Sequence, residues 1–160
     1  MTRSEYKRRR RRLAAAMPSN SIALLPAAKE SIRNRDVHYP FRQGSDFRYL
    51  TGFPEPEALA VLAPGRKEGE FVLFCRPRDP DKELWDGVRK GVEGALGKYG
   101  ADEAHPIEEL DEVVPKLLED CDRVYYPAGE DPQFDRRLMD WIKIVRDRAR
   151  FGVGAPTEIV

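Results

Sequence analysis

Two histidines, two cysteines and a scatter of carboxylates are where a search for catalytic chemistry in this 160-residue sequence begins. His105-Pro106-Ile107-Glu108 and the acids around it can be drawn as metal ligands, but no HExxH or paired-cysteine spacing brings such ligands to one point. Helix capping and surface solvation account for them better. Cys75 ends an apolar run and reads as core, while Cys121 stands between Asp120 and Asp122. Neither has a histidine near it in sequence to generate a thiolate. Ser45-Asp46 lacks the G-x-S-x-G elbow that exposes a serine nucleophile. The glycines from Gly87 to Gly100 do not open a helix after a strand, as a phosphate-cradling loop requires, and read as a flexible connection. No catalytic residue and no metal ligand is assigned to this chain.

The elements that would position any site follow from periodicity and punctuation. Thr2 with Glu5 three residues on forms a capping box, and Tyr6, Leu13 and Met17 share one helical face, so a first helix is expected to end before Pro18. Ser21 to Leu25 reads as a buried strand and Lys29 to Asp36 as a surface loop. Ala58 to Leu62 and Glu70 to Cys75 flank the turn residues Pro64 to Gly69, which predicts an antiparallel hairpin. A short helix carries Leu84 and Trp85, after which Gly87, Gly91, Gly94 and Gly97 weaken regular structure. Pro106 suits a first helical turn, and Leu110, Val113, Val114, Leu117 and Leu118 recur at helical spacing up to Asp120, with Pro115 as an expected kink. Arg123 to Tyr126 is a strand candidate. Asp131-Pro132 starts a last amphipathic helix through Phe134, Leu138, Trp141, Ile142 and Val145, with Trp141 in the core. Strands alternating with helices, one pair of them a hairpin, predict an α/β fold with a mixed β-sheet flanked by helices. Residues 152–160, with Gly152, Gly154 and Pro156 and no core pattern, read as a linker.

Composition narrows the function classes. With 41% hydrophobic and 35% charged residues the chain holds a real core under a highly charged surface, and its length suits one domain. Lys plus Arg and Asp plus Glu balance at 28 each, so no overall field selects nucleic acid or an anionic membrane. The basic run Lys7 to Arg12 could neutralise phosphates, but it lacks interleaved aromatics and reads as a solvated helix whose long side chains cover apolar neighbours. No apolar run approaches a membrane span, no sustained apolar segment marks a secretory signal, and two cysteines make no disulfide framework; a cytoplasmic, soluble protein is expected.

Three segments carry a resemblance. They are Tyr39-Pro40-Phe41-Arg42-Gln43-Gly44-Ser45-Asp46-Phe47-Arg48-Tyr49-Leu50-Thr51-Gly52-Phe53-Pro54-Glu55-Pro56-Glu57-Ala58, then Phe74-Cys75-Arg76-Pro77-Arg78-Asp79, then Glu83-Leu84-Trp85-Asp86-Gly87-Val88-Arg89. In order and spacing they resemble the N-terminal domain of Xaa-Pro aminopeptidases (aminopeptidase P), within the creatinase/prolidase-like metallopeptidases. The resemblance implies an N-terminal domain over residues 1–151, with 152–160 starting the linker to an absent C-terminal catalytic domain. It implies that this catalytic domain holds two divalent metals, usually manganese, through two Asp, one His and two Glu beyond Val160, and that the present chain alone is inactive. It implies a homo-oligomer, dimer or tetramer, acting on peptides with proline at the second position, with no nucleic acid or membrane partner. Trp85 is the substrate-binding residue it points to, lining a neighbouring subunit's cleft, where a flat indole packs against a proline ring. Arg42, Asp46 and Tyr49 are expected to be structural, as a hydrogen-bonded ion pair and aromatic packing. Gly44 stands where the family more often has Asp or Asn. Prolidase is the catalytic alternative, and a stand-alone peptide-binding pseudo-peptidase is the non-catalytic one.

Overall fold

Six strands lie side by side in the order Glu103–Pro106, Phe71–Cys75, Leu59–Leu62, Ser21–Pro26, Arg123–Tyr125 and Glu158–Ile159, and only Leu59–Leu62 runs against the rest. In chain order the elements are α1 (Arg3–Ala16), β1 (Ser21–Pro26), β2 (Ile32–Asn34), β3 (Val37–His38), α2 (Ser45–Thr51), β4 (Leu59–Leu62), β5 (Phe71–Cys75), α3 (Pro80–Asp86), α4 (Gly91–Gly97), β6 (Glu103–Pro106), α5 (Leu110–Leu118), β7 (Arg123–Tyr125), α6 (Pro132–Asp147) and β8 (Glu158–Ile159). The structure is a computed structural model that describes residues 1–30, 32–34, 37–38 and 40–160, with backbone alone at 32–34 and 37–38.

Alternation along the strands sorts their side chains into two cores. Ile22, Leu24, Leu59, Val61, Val72 and Phe74 face α5 and α6, where they meet Leu110, Val114, Leu118, Leu138, Trp141, Ile142 and Val145. Ala23, Ala60, Leu62, Phe71, Leu73 and Cys75 face the other way, onto Phe47 of α2, Ala95 of α4 and the inner edge of α1 at Leu13 and Met17. The fold is therefore a mixed sheet between two helical layers. Each fully buried Leu, Ile or Val contributes on the order of 2 kcal/mol of transfer free energy, so these two apolar layers dominate cohesion.

Local chemistry sets the ends. The Thr2 hydroxyl accepts from the Glu5 backbone N–H, which starts α1 as the capping box predicts. Asp131 accepts from the backbone N–H groups of Gln133 and Phe134 ahead of Pro132, and α6 starts there. The hairpin forms in the register Leu59 opposite Phe74 and Leu62 opposite Phe71.

Five expectations need correction. Part of the expected loop from Lys29 to Asp36 is a strand, Ile32–Asn34, paired with Val37–His38; Ser31, Arg35 and Asp36 lie outside the described residues, as does Tyr39 at the head of the long motif. The glycine-rich connection holds a helix, α4, which starts at Gly91, ends at Gly97 and runs through Gly94, with Ala95 packed into the core. Pro106 ends a strand, β6, with the 3-10 turn Ile107–Glu109 before α5; its half-buried Glu-Ala-His-Pro sequence has no apolar alternation to reveal it. Helix α5 runs through Pro115 and stops at Leu118, because Asp120 takes a left-handed φ of 61°. The tail read as a linker also places Glu158–Ile159 beside β7 as the edge strand.

Candidate functional site: the cleft at one rim of the sheet

Because β1, β5, β6 and β7 run parallel, their C-terminal ends share one rim, where ligands of open α/β sheets characteristically bind. A cleft of about 1080 Å³ opens there, with Ala28, Phe41, Glu55, Arg76, Arg89 and Phe134 in its walls. All three motif segments contribute to it.

The long motif is organised by Gln43. Its Oε1 accepts from the backbone N–H of Ala28 and of Gly44, and its Nε2 donates to the carbonyls of Phe53 and Glu55. One amide thus joins the chain leaving β1 to the chain entering β4, with every hydrogen-bonding capacity of the side chain used. Between these points α2 ends at Gly52, whose φ of 67° is left-handed and whose missing Cβ makes room for the Tyr6 ring; a Cβ there would lie 2.5 Å from Tyr6 Cζ. Gly44 is the N-cap of α2 and supplies no side-chain cap.

The second and third motifs are joined by carboxylates. Buried Glu55 accepts from the Lys90 backbone N–H at 2.7 Å and from Arg76 Nη2 at 3.5 Å. Glu83 on α3 accepts from Arg78 Nε at 2.6 Å and from the Arg89 backbone N–H at 2.8 Å. The Arg78 bond first and the Arg89 N–H second hold its carboxyl below the ordinary value. Asp79 caps α3 by accepting from the Lys82 N–H. With its inner side so anchored, α3 turns its apolar residues outward: Trp85 is 89% exposed and Leu84 83%, followed by Val88 at 75%. Trp85 therefore packs against little among the described residues.

The other sequence candidates fall elsewhere. Cys75 is buried in the sheet, and burial pushes its thiol up to about 12; burial likewise pushes Cys121 to about 11, so neither is a ready thiolate. His105 has Glu103 Oε2 2.7 Å from Nε2 and Glu109 Oε2 3.2 Å from Nδ1, so these carboxylates sit on opposite sides of the ring and do not converge with it. Among the described residues no group of three or more His, Cys, Asp or Glu is placed to hold a metal ion, so the side chains present do not fit a dinuclear centre. Trp141 is in the core at 1% exposure and donates from Nε1 to Asp111.

Arg42 and Asp46 are exposed, and among the described residues no ion pair joins them. Tyr49 does have a structural role, under the Arg9 guanidinium at 4.1 Å from the ring centroid. Within the basic run, Arg9 and Arg10 fasten α1 to the end of α2 through the Tyr49 and Leu50 carbonyls. The sequence reading missed Gln43 and Glu55, since one amide and one acid inside a motif carry no periodic signal. Their only sequence clue was that both fall in the most distinctive segment.

Comparison with known proteins places this geometry in a class. The profile of the family described as "Aminopeptidase P, N-terminal domain" matches residues 6–125, and the chain belongs to that family. Its fold superposes on the structure of the Pseudomonas aeruginosa aminopeptidase PepP with a TM-score of 0.96 at 60% identity, over all of this chain and 36% of that one. Against Escherichia coli aminopeptidase P the TM-score is 0.93 at 38% identity, over all of this chain and 37% of that one. The Xaa-Pro aminopeptidase of Haemophilus influenzae is 43% identical over 126 residues, 79% of this chain and 29% of that protein. The chain thus spans about a third of the length of its relatives. Among the described residues no helix is long and apolar enough to cross a membrane.

Proposed function

We propose that residues 1–151 are the non-catalytic N-terminal domain of a metal-dependent Xaa-Pro aminopeptidase, and that 152–160 lead toward its catalytic domain. The parent enzyme releases the N-terminal residue that precedes proline in a peptide. In this reading the domain shapes the substrate cleft and makes contacts in a homo-oligomer, in the cytoplasm. Two divalent metal ions, manganese in our reading, are held by residues outside this chain and supply an activated water to the scissile carbonyl. One structure among the relatives is of zinc-substituted E. coli aminopeptidase P with product, which agrees with a metal site in that larger chain.

The observation that carries the reading is the outward display of Trp85. A large indole left 89% exposed, on a helix whose inner side is tied down by Asp79 and Glu83, has lost contact area that only another surface can restore. In the oligomer, that surface is the substrate cleft of the neighbouring subunit. The test is Trp85→Ala in the full-length enzyme, with kcat/KM measured on a peptide with proline second and on one with alanine second. The reading expects a loss on the order of tenfold or more for the proline peptide with the oligomer intact. An unchanged kcat/KM in an intact oligomer would remove Trp85 from the cleft.

A further inference from the structure

Arg89 and Arg76 line the cleft with more donors than the protein uses. Arg89 is 8% exposed, Arg76 has a side chain 15% exposed, and the Nε of each is sealed from solvent without a hydrogen-bond partner. What they do make is weak: Arg89 Nη1 reaches the Pro77 carbonyl at 3.3 Å, and Arg76 Nη2 reaches Glu55 at 3.5 Å. Among the described residues, neither guanidinium has a carboxylate in a close, forked arrangement.

The charges nearby do not close the account. Glu55 spends its other oxygen on the Lys90 backbone N–H, and Glu83 spends Oε1 on Arg78 and on the Arg89 backbone N–H. The two cleft guanidinium groups, Arg76 and Arg89, and the half-exposed Arg78 thus share two carboxylates, buried Glu55 and partly buried Glu83. Lys29 and Arg137 at the mouth already pair with Asp131 and Asp111, and Asp86 and Glu57 on the walls are exposed. A buried cation with an unused N–H calls for an anion, and a planar fork fits a carboxylate.

We propose that Arg89 and Arg76 form a binding site for a carboxylate of a peptide, either an acidic side chain or the C-terminus, held in the rim cleft. The proposal rests on the reading that the parent enzyme handles peptides. It goes beyond that reading by assigning the chain a peptide-binding site of its own. Arg76 gives up its long bond to Glu55 and turns its Nε–Nη2 edge to the ligand, while Arg89 offers its Nε.

The experiment uses the 160-residue chain labelled with 15N, following the arginine Nε–Hε resonances. The probes are acetyl-Glu-amide, its neutral isostere acetyl-Gln-amide, acetyl-alanine and inorganic phosphate. Because no peptide bond is cleaved, the result does not depend on whether the parent enzyme is a peptidase. The expected result is saturable shifts of the Arg89 and Arg76 resonances with the two carboxylate probes and none with acetyl-Gln-amide. Arg89→Gln is expected to weaken binding on the order of tenfold, and Arg89→Lys to recover only part, since a lysine lacks the fork. Circular dichroism confirms that each variant is folded; were Arg89→Gln unfolded, the wild-type shifts alone would decide. Equal response to acetyl-Gln-amide, tighter binding of phosphate than of either carboxylate, or no saturable shift would each overturn the proposal.

Discussion

The Arg10 guanidinium lies 4.0 Å from the centroid of the Phe71 ring and donates from Nη1 to the Leu50 carbonyl at 2.9 Å, which ties α1 both to β5 and to the end of α2. Burial lowers its pKa to about 10, with Asp102 opposing that shift, so it remains a cation at neutral pH. Arg10→Ala removes a cation–π contact and a charge-assisted bond and leaves the Leu50 carbonyl unpaired. A loss of about 2–3 kcal/mol is expected in urea unfolding. Arg10→Lys should recover less than half, since an ammonium cannot stack and donate at once as a planar guanidinium does.

Gln43→Ala deletes four hydrogen bonds at once, and a loss of about 2–4 kcal/mol is expected. Gln43→Glu tests the geometry more finely. It keeps the acceptor for Ala28 and Gly44 but turns a lone pair on the carbonyls of Phe53 and Glu55, so it should be as damaging as alanine. A thermal midpoint for Gln43→Glu equal to that of the parent chain would show that the amide nitrogen contributes nothing.

Gly52 cannot accept a side chain. Its φ of 67° is left-handed, and a Cβ would stand 2.5 Å from Tyr6 Cζ. Gly52→Ala is expected to cost about 3 kcal/mol, with part regained by Tyr6→Ala in the same chain. Gly44 behaves oppositely: its φ of −60° is ordinary and the nearest atom to a Cβ is that of Ala28 at 3.9 Å. Gly44→Asp should stabilise by about 0.5 kcal/mol by capping α2.

The pH dependence can be given a sign. Glu83 titrates below its ordinary value of 4.5 in the folded chain, held down by the Arg78 bond and then by the Arg89 N–H. Folding therefore favours the charged form, so its contribution is complete above the unfolded value and is lost as pH falls through the folded one. Urea unfolding measured over a series from neutral pH into this range should show stability falling with acid. Glu83→Gln should lower stability at neutral pH and flatten that acid limb.

Trp85→Ala should leave unfolding unchanged to within about 0.5 kcal/mol in the isolated chain, because the indole is 89% exposed. Tryptophan emission reads the same substitution. The solvent-exposed component should vanish and the emission of Trp141, buried against Phe134, should remain.

What the sequence disclosed followed the physics of pattern. The hairpin was legible because two apolar runs flank a Pro-Gly turn, and α6 because its apolar stripe repeats at helical spacing behind Asp131-Pro132. Strand β6 was hidden, since Glu103-Ala104-His105-Pro106 is half-buried at a sheet edge and needs no alternation. Helix α4 was hidden by its three glycines, Gly91 and Gly97 at its ends and Gly94 inside. The cleft was visible only as three motifs of recognisable kind; that Gln43 joins two chain segments, or that Glu55 meets both Arg76 and Lys90, depends on strands far apart in sequence coming to one rim. Trp85 could be singled out in advance, but not its exposure.

The lone reversed strand, β4, divides the molecule's turns into two populations. At the rim away from the cleft lie the connections between β4 and β5, between α5 and β7 and, over residues 148–157, between α6 and β8. At the cleft rim lie the excursion between β1 and β4 and the entries to α3, α5 and α6. Loop-closure entropy rises only slowly with length, so insertions in the exposed turns of that rim cost little, whereas Phe47 and Phe53 within the β1–β4 excursion belong to the second apolar layer. The cleft rim thus combines exposed turns, where the chain can be lengthened at little cost, with buried anchors that cannot be changed without loosening a core layer.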